Sequence, residues 1–343
     1  MAGGGRCIRR VVLVCLPAIV LLSLAFSAPV ALALQDTQAR NEKDTAGADP
    51  TGQTMGVYVT SLRDFDTTGD SFGVDYWLWS VHPPGNDPLN KVEFVNAKQV
   101  DIRLDQSFKR HGEIWSRQKV RATVLQDWDL SNFPFDRQVL KLDLRLADST
   151  GVIYRPDKAE SGYARNATPD GWRITDFDID EKVKKYETTF GDPEASGGSS
   201  QDHVIATLRI ERENATGFFK MIAGVYAAIA IGCLSFLMAP NQPTVFSGRM
   251  TLLAAALFAI VVNLQVSDSV LGSLEDIALV HKIHILAMAY VFVAALLTVL
   301  ARKGYDSGHK DRANRRDLIG LCVFSLTFIA FNVALIAAAA ATG

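Results

Sequence analysis

Most of the chemical promise of this chain lies in the second of four apolar stretches near its C-terminus. There Thr251, Asn263, Gln265, Ser267, Asp268 and Ser269 interrupt an otherwise hydrophobic run. Polar side chains in a membrane-length helix normally face protein or water, because hydrocarbon offers them no partner. Hydroxyls and amides lining water suit the passage of ions rather than the making of bonds. His281 and His284 stand one helical turn apart, a spacing open to metal binding, proton sensing or a structural role at the membrane interface. Neither Cys nor a dense acidic cluster accompanies them, so the structural role is the plainer expectation. No nucleophile–base cluster, phosphate loop or metal motif stands out; enzyme activity, a cofactor and a metal are not expected.

The elements that must position these residues begin with the apolar stretches themselves. They run over about 217–239, 250–271, 280–301 and 318–341, each near the ~20 residues needed to cross ~30 Å of hydrocarbon. The second reads as the least hydrophobic. Arg249 falls in the first short loop, and Arg302, Lys303, Lys310, Arg312, Arg315 and Arg316 crowd the loop before the last span, whereas Glu275 and Asp276 lie between the second and third. This asymmetry puts the basic loops in the cytoplasm and both the N-terminal domain and the C-terminus outside.

Residues 1–34 carry Arg6, Arg9 and Arg10, an apolar run from Val11 to Phe26, and Ala31-Leu32-Ala33, the pattern of a removable signal peptide or of an uncleaved anchor. Residues 35–53 are polar without periodicity and read as a flexible leader. A length of 343 residues, 48% of them hydrophobic, with a formal net charge of −2, fits one soluble domain plus a membrane domain and gives no reason to expect nucleic acid. Cys7 and Cys15 fall in the signal, and Cys233 and Cys322 in spans, so no disulfide is expected in the exported domain.

That domain, 54–212, alternates with period two. Leu140, Leu142, Leu144 and Leu146 point one way and Lys141, Asp143 and Arg145 the other; Val100, Ile102 and Leu104, and Val204, Ala206, Leu208 and Ile210, repeat the pattern. Val57–Leu62 and Val74–Trp79 are strand-like runs on either side of a turn at Thr67–Asp70, and Gly171-Trp172-Arg173-Ile174 opens another strand pair with a Gly- and Ser-rich tip at Gly191–Gln201. Short strands and frequent turns indicate a β-sandwich.

Between two of these strands stands Phe133-Pro134-Phe135-Asp136-Arg137-Gln138. An FPFD-x-Q loop followed by four spans resembles the pentameric ligand-gated ion channels, the Cys-loop receptor superfamily, from about Gly56 onward. The usual bracketing cysteines are replaced by Gln126 and Leu140, which suggests a prokaryotic member whose loop is held by packing alone. The resemblance implies a β-sandwich domain over a four-helix pore domain (213–343), five copies surrounding a pore lined by the second span.

Matching Arg-Met-Thr-Leu from Arg249 to the family pattern puts Thr251, Ala255, Phe258, Val262, Gln265 or Val266, and Ser269 on the pore, with Phe258 and Val262 as an apolar constriction. The alternative for Phe258 is packing against a neighbouring helix. Asp268 would form an outer acidic ring favouring cations, or be a plain interfacial carboxylate. Coupling falls to Phe133, Phe135, Asp136 and Arg212, with the two phenylalanines against the linker from Gly272 to Val280; Arg212 alternatively anchors the first span. Gly272 replaces a proline common after the pore helix, and the first span lacks one, so a freer linker is expected.

The Gly191–Gln201 tip stands where the family keeps a ligand-capping loop, an ordinary hairpin tip being the alternative; aromatic candidates for a small-molecule site are then Tyr76 or Trp77 on the second strand, Trp115 on the opposing sheet, and Tyr186 and Phe190 at the root of that tip, with core burial the alternative for each. Ala147-Asp148-Ser149-Thr150 lacks the Trp that amine receptors place there. Asn166-Ala167-Thr168 and Asn214-Ala215-Thr216 match the glycosylation sequon but are not expected to be modified in a bacterium. The expectation is therefore a homopentameric channel of the bacterial inner membrane, its partners being copies of itself, lipid, permeant ions and a small ligand. The alternative is a non-conducting sensor signalling through its helices to a partner protein.

Overall fold

The structure, a computed structural model, describes residues 53–85, 87–146, 154–191, 198–272 and 277–343. The signal peptide, the leader up to residue 52, the Ala147–Thr150 segment, residues 192–197 of the Gly- and Ser-rich tip, Glu275 and Asp276 lie outside the described residues. One compact unit holds the described residues up to Tyr226 with Ala259–Leu286 and Ala334–Gly343; a second holds Ala227–Phe258 and Ala287–Val333.

The described residues open as ten strands: β1 (Gln53–Asp66), β2 (Ser71–His82), β3 (Val92–Phe94), β4 (Ala97–Arg110), β5 (Glu113–Leu125), β6 (Arg137–Leu146), β7 (Tyr154–Pro156), β8 (Gly162–Tyr163), β9 (Trp172–Tyr186) and β10 (Ser199–Arg212). They form a six-stranded sheet, β4-β5-β2-β1-β7 with β8 also on β1, and a four-stranded sheet, β3-β6-β10-β9. Alternation explains the register. Leu140, Leu142 and Leu144 of β6 lie opposite Leu208, Ala206 and Val204 of β10, and all six are buried. Across the interior, Phe72, Val74, Tyr76 and Leu78 of β2 and Val120, Ala122 and Val124 of β5 are also buried. The sheets meet where Phe65 of β1 sits edge-on to Trp172 of β9 at 5.4 Å, and where Tyr163 of β8 lies 6.3 Å from Phe177 of β9. The region is sandwich-like.

β4 does not follow the expected pattern. Ile102 is 46% exposed, and pairing with β5 slips between Ile102 and Leu104. β4 ends the sheet path, and a register slip turns side chains off the core face, so alternation there does not produce burial.

The wet face of the large sheet carries charge. Asp75 of β2 accepts two bonds from Arg121 of β5, at 2.8 and 2.9 Å, and a longer one from Arg63 of β1 at 3.4 Å. The bond from Arg121 is the main reason Asp75 titrates below the usual carboxylate value of 3.8, partial burial opposing it.

Four helices follow: α1 (Thr216–Ser235), α2 (Pro243–Leu271), α3 (Leu279–Asp306) and α4 (Lys310–Thr342), each long and apolar enough to cross a membrane. This is the pattern of a multi-pass membrane protein. α2, α3 and α4 extend past the apolar stretches and take in charged residues such as Arg249, Lys303 and Arg312, Arg and Lys being good helix formers, whereas α1 ends at Ser235, short of residue 239. The most apolar part of α2 has a mean hydropathy of 2.0 against 1.8 for α1, so α2 is not the least hydrophobic. What separates α2 is the polar cluster toward its C-terminal end, Asn263, Gln265, Ser267, Asp268 and Ser269.

Leu208→Ala leaves a hole between β6 and β10 and should lower unfolding free energy by about 2–5 kcal/mol, whereas Lys141→Ala, exposed on the same sheet, should be near neutral; thermal unfolding followed by circular dichroism checks both. Because the folded Asp75 carboxyl has the lower pKa, its contribution is complete above the unfolded value and fades as pH falls through the folded one. Asp75→Asn should therefore lower thermal stability at pH 7 and lessen its loss between pH 4 and pH 2.

Candidate functional site

On α2 the expected stripe is exposed. In the second unit Thr251, Ala255 and Phe258 are open, Phe258 at 70%, while Leu253 and Ala256 are buried. In the first unit Val262, Gln265, Val266 and Ser269 are open, while Ile260, Ser267 and Leu271 are buried. Within each set most successive members lie three or four residues apart, as a helix with one packed face requires. Hydroxyl and amide groups thus share an uncovered face with apolar rings.

The packed face is fastened by buried polar contacts. Asn263 sits beside Gly224 of α1, where a Cβ would come within 2.9 Å of its Nδ2, so glycine permits the approach. The Asn263 amide lies 3.0 Å from Nε2 of buried His284 on α3, whose Nδ1 is 2.7 Å from the Val280 carbonyl. His281 has a different partner, with Nε2 2.7 Å from Asp268 Oδ1. The two histidines therefore do separate work, and among the described residues no group of three metal-ligating side chains forms. Asp268 is half-exposed, and its carboxylate is shared with this histidine of its own chain.

Arg249 lies inside α2, not in a loop. It is fully buried, and its Nη1 donates to Asp317 of α4 at 2.9 Å and to the Met238 carbonyl at 3.1 Å. A carboxylate 68 residues away draws it in. A buried Arg needs such a partner, since an unpaired charge there costs several kcal/mol.

A second cluster surrounds the FPFD loop. Asp136, its side chain fully buried, accepts from Arg212 Nε at 2.7 Å and from Gln138 Nε2 at 2.9 Å. Gln138 also donates to the Asp129 carbonyl and accepts from the Asp129 amide, so it closes the loop on itself. The loop is therefore held by hydrogen bonds and an ion pair, not by packing alone. The Arg212 guanidinium lies 4.1 Å from the Trp172 ring centre and 4.7 Å from that of Phe133. Trp128 joins this aromatic group through Phe65 at 5.4 Å and donates to the Asp66 carbonyl.

The middle of the linker, residues 273–276, lies outside the described residues, and the two phenylalanines have other described neighbours. Phe133 lies against Phe218 of α1, ring centres 6.4 Å apart, and the Phe135 carbonyl faces Gly343. The described ends of the linker are met instead by Thr67, whose hydroxyl donates to the Val270 carbonyl, and by Ser131, whose carbonyl accepts from the Leu279 amide. Arg212, paired to Asp136 just before α1, holds the loop at the β10–α1 junction. Gly272 has φ +80° and lies so close to Thr67 that a Cβ would be 3.1 Å from its carbonyl oxygen. Glycine here ends α2 and permits close contact, a tighter role than a freer linker.

The aromatic candidates do not converge. Tyr76 is buried in the core, and burial raises its hydroxyl far above the ordinary range. Trp77 and Trp115 belong to the same sheet, because β5 pairs with β2 along twelve residues; Trp115 is not on the opposing sheet. Arg117 lies 5.2 Å from one indole and 5.0 Å from the other, placing the chain's own cation on these rings. Tyr186 and Phe190 form a separate pair at 5.3 Å. The Tyr186 hydroxyl lies 3.5 Å from buried His203, which is held by Asp143 at 2.6 Å.

Asp317 and Trp128 escaped the sequence reading, and Asn263, Gln138 and Trp172 were named there without the partners that hold them. A lone Asp and a lone Asn inside apolar runs were the signals available for Asp317 and Asn263. The sequence matches no protein-family model, and no curated protein matches it.

Arg212→Ala would strand the buried Asp136 carboxylate and should cost about 3–5 kcal/mol. Asp136→Asn combined with Arg212→Met should recover most of that loss. A double-mutant cycle on thermal or denaturant unfolding measures it.

Proposed function

We propose that this chain is one subunit of a homopentameric ligand-gated ion channel, as its resemblance to the Cys-loop receptor superfamily implies. Its place is a bacterial inner membrane, with the sandwich-like domain in the periplasm. The observation that carries the reading is the uncovered face of α2. Thr251, Gln265 and Ser269 share it with Phe258 and Val262, a composition suited to water rather than to lipid alone. Five such faces around an axis would give a hydroxyl ring at one end and an apolar constriction at Phe258 and Val262. A narrow apolar ring stops ions by dewetting, so opening requires it to widen or tilt.

The FPFD cluster supplies the route from ligand to pore. Asp136 and Arg212 join the loop to the chain entering α1, while Thr67 and Ser131 touch the ends of the α2–α3 linker. A ligand that binds the open arrangement more tightly would shift the population toward it. Exposed Asp268 near the outer end of α2 favours cations.

Purified protein in liposomes should pass monovalent cations when a ligand or a proton gradient activates it. Phe258→Ala should raise the resting leak several-fold, and Asp268→Asn should reduce cation preference without abolishing flux. Absence of flux under every applied compound and pH, from protein shown to be pentameric and folded, would overturn the reading.

A further inference from the structure

A cavity of about 460 Å³ lies within the first unit, between the loop that joins β8 to β9 and the chain leaving β10. The loop is pinned at several points. The Ala164 amide donates to the Val59 carbonyl at 2.8 Å, the Ala167 carbonyl accepts from Leu62 at 2.5 Å, and the Gly171 carbonyl accepts from Glu213 at 2.9 Å. Ala167 itself is buried. Ties of this kind shape a site before anything enters it, as small-molecule cavities usually require.

Two kinds of surface line the cavity. Tyr163, Trp172 and Ile174 supply apolar area, while Arg165, Asp170 and Glu213 supply charge. Arg173 also reaches the lining, but Glu211 takes it. Among the described residues Arg165, Asp170 and Glu213 enter no ion pair, with one another or with any other group. An anion would gain Arg165 and face two carboxylates; a cation would gain the carboxylates and face the guanidinium. A molecule carrying both charges satisfies all three. Asn166 and Thr168 offer it neutral hydrogen bonds besides.

We infer that this cavity binds a small dipolar molecule, an α-amino acid with an apolar side chain, its carboxylate on Arg165, its ammonium on Asp170 and Glu213, and its side chain against Trp172 and Ile174. The Trp172 ring also carries the Arg212 guanidinium at 4.1 Å, so an occupant would touch the ring that packs on the Asp136 and Arg212 pair. An effect on gating rests on the channel reading proposed above; the binding requires no ion flux.

Isothermal titration of full-length protein in detergent with L-leucine, isocaproate (leucine without its amine) and isoamylamine (leucine without its carboxylate) tests this. L-Leucine should bind tighter than either analogue by about tenfold or more, since each analogue lacks one charge-assisted contact. Arg165→Gln should erase the preference over isoamylamine and keep that over isocaproate; Asp170→Asn with Glu213→Gln should do the reverse. Lys185→Gln, exposed on β9 and outside the lining, should change neither. Circular dichroism confirms that each variant is folded. No binding of leucine to folded protein, equal binding of all three compounds, preferences unchanged in the variants, or the same losses in Lys185→Gln would each overturn the proposal. Tighter binding of glycerophosphoethanolamine than of leucine would give the cavity to a lipid headgroup and overturn it too.

Discussion

The ion pair between Asp136 and Arg212 is the constraint on which the rest of this architecture turns. It holds a loop between two strands of the sandwich-like region to the last residue of β10, four positions before α1 begins. Burial of the carboxylate makes the contact hard to surrender, because either partner alone would be a desolvated charge. The surrounding rings of Trp172 and Phe133 complete the shell around the guanidinium and exclude water from one side. Gln138 fixes the loop from within, so Asp136 is presented rather than left to find its partner.

The helical part uses the same device with different partners. Arg249 and Asp317 form a buried pair between α2 and α4. Asn263 and His284 link α2 to α3. Such contacts orient a helix more specifically than Leu against Leu, because they tolerate only a few rotations. They also decide which face of α2 is left uncovered. With Leu253, Ala256, Ile260 and Ser267 turned inward, Thr251, Phe258 and Gln265 have no packing role within the chain. That leftover face is what the proposed pore would use.

How much of this was readable in advance differs by the range of the interaction. The leucines of β6 and the aliphatic residues of β10 announced a core face because alternation is local. The same alternation misled at β4, where the register slip beside Ile102 depends on the pairing partner. Asp136 with Arg212 was legible only through resemblance; nothing local connects residues 76 apart. Arg249 looked like a loop cation because its neutralising Asp317 is distant in sequence. Trp115 was assigned to the wrong sheet for a similar reason, since which strands lie side by side is a property of topology. Gly272 stood out as an absent proline, but the reason for glycine became visible only with the Thr67 carbonyl beside it.

The central claim is that the uncovered face of α2 borders water in the assembled protein. It is tested most directly by placing single cysteines along α2, in a background with the native cysteines replaced, and measuring block of liposome flux by a charged thiol reagent. Block at Thr251, Ala255, Phe258, Val262 and Gln265, and none at Leu253, Ala256 and Ile260, is the expected result. Uniform insensitivity of a conducting protein, or block confined to positions on another helix, would contradict the account.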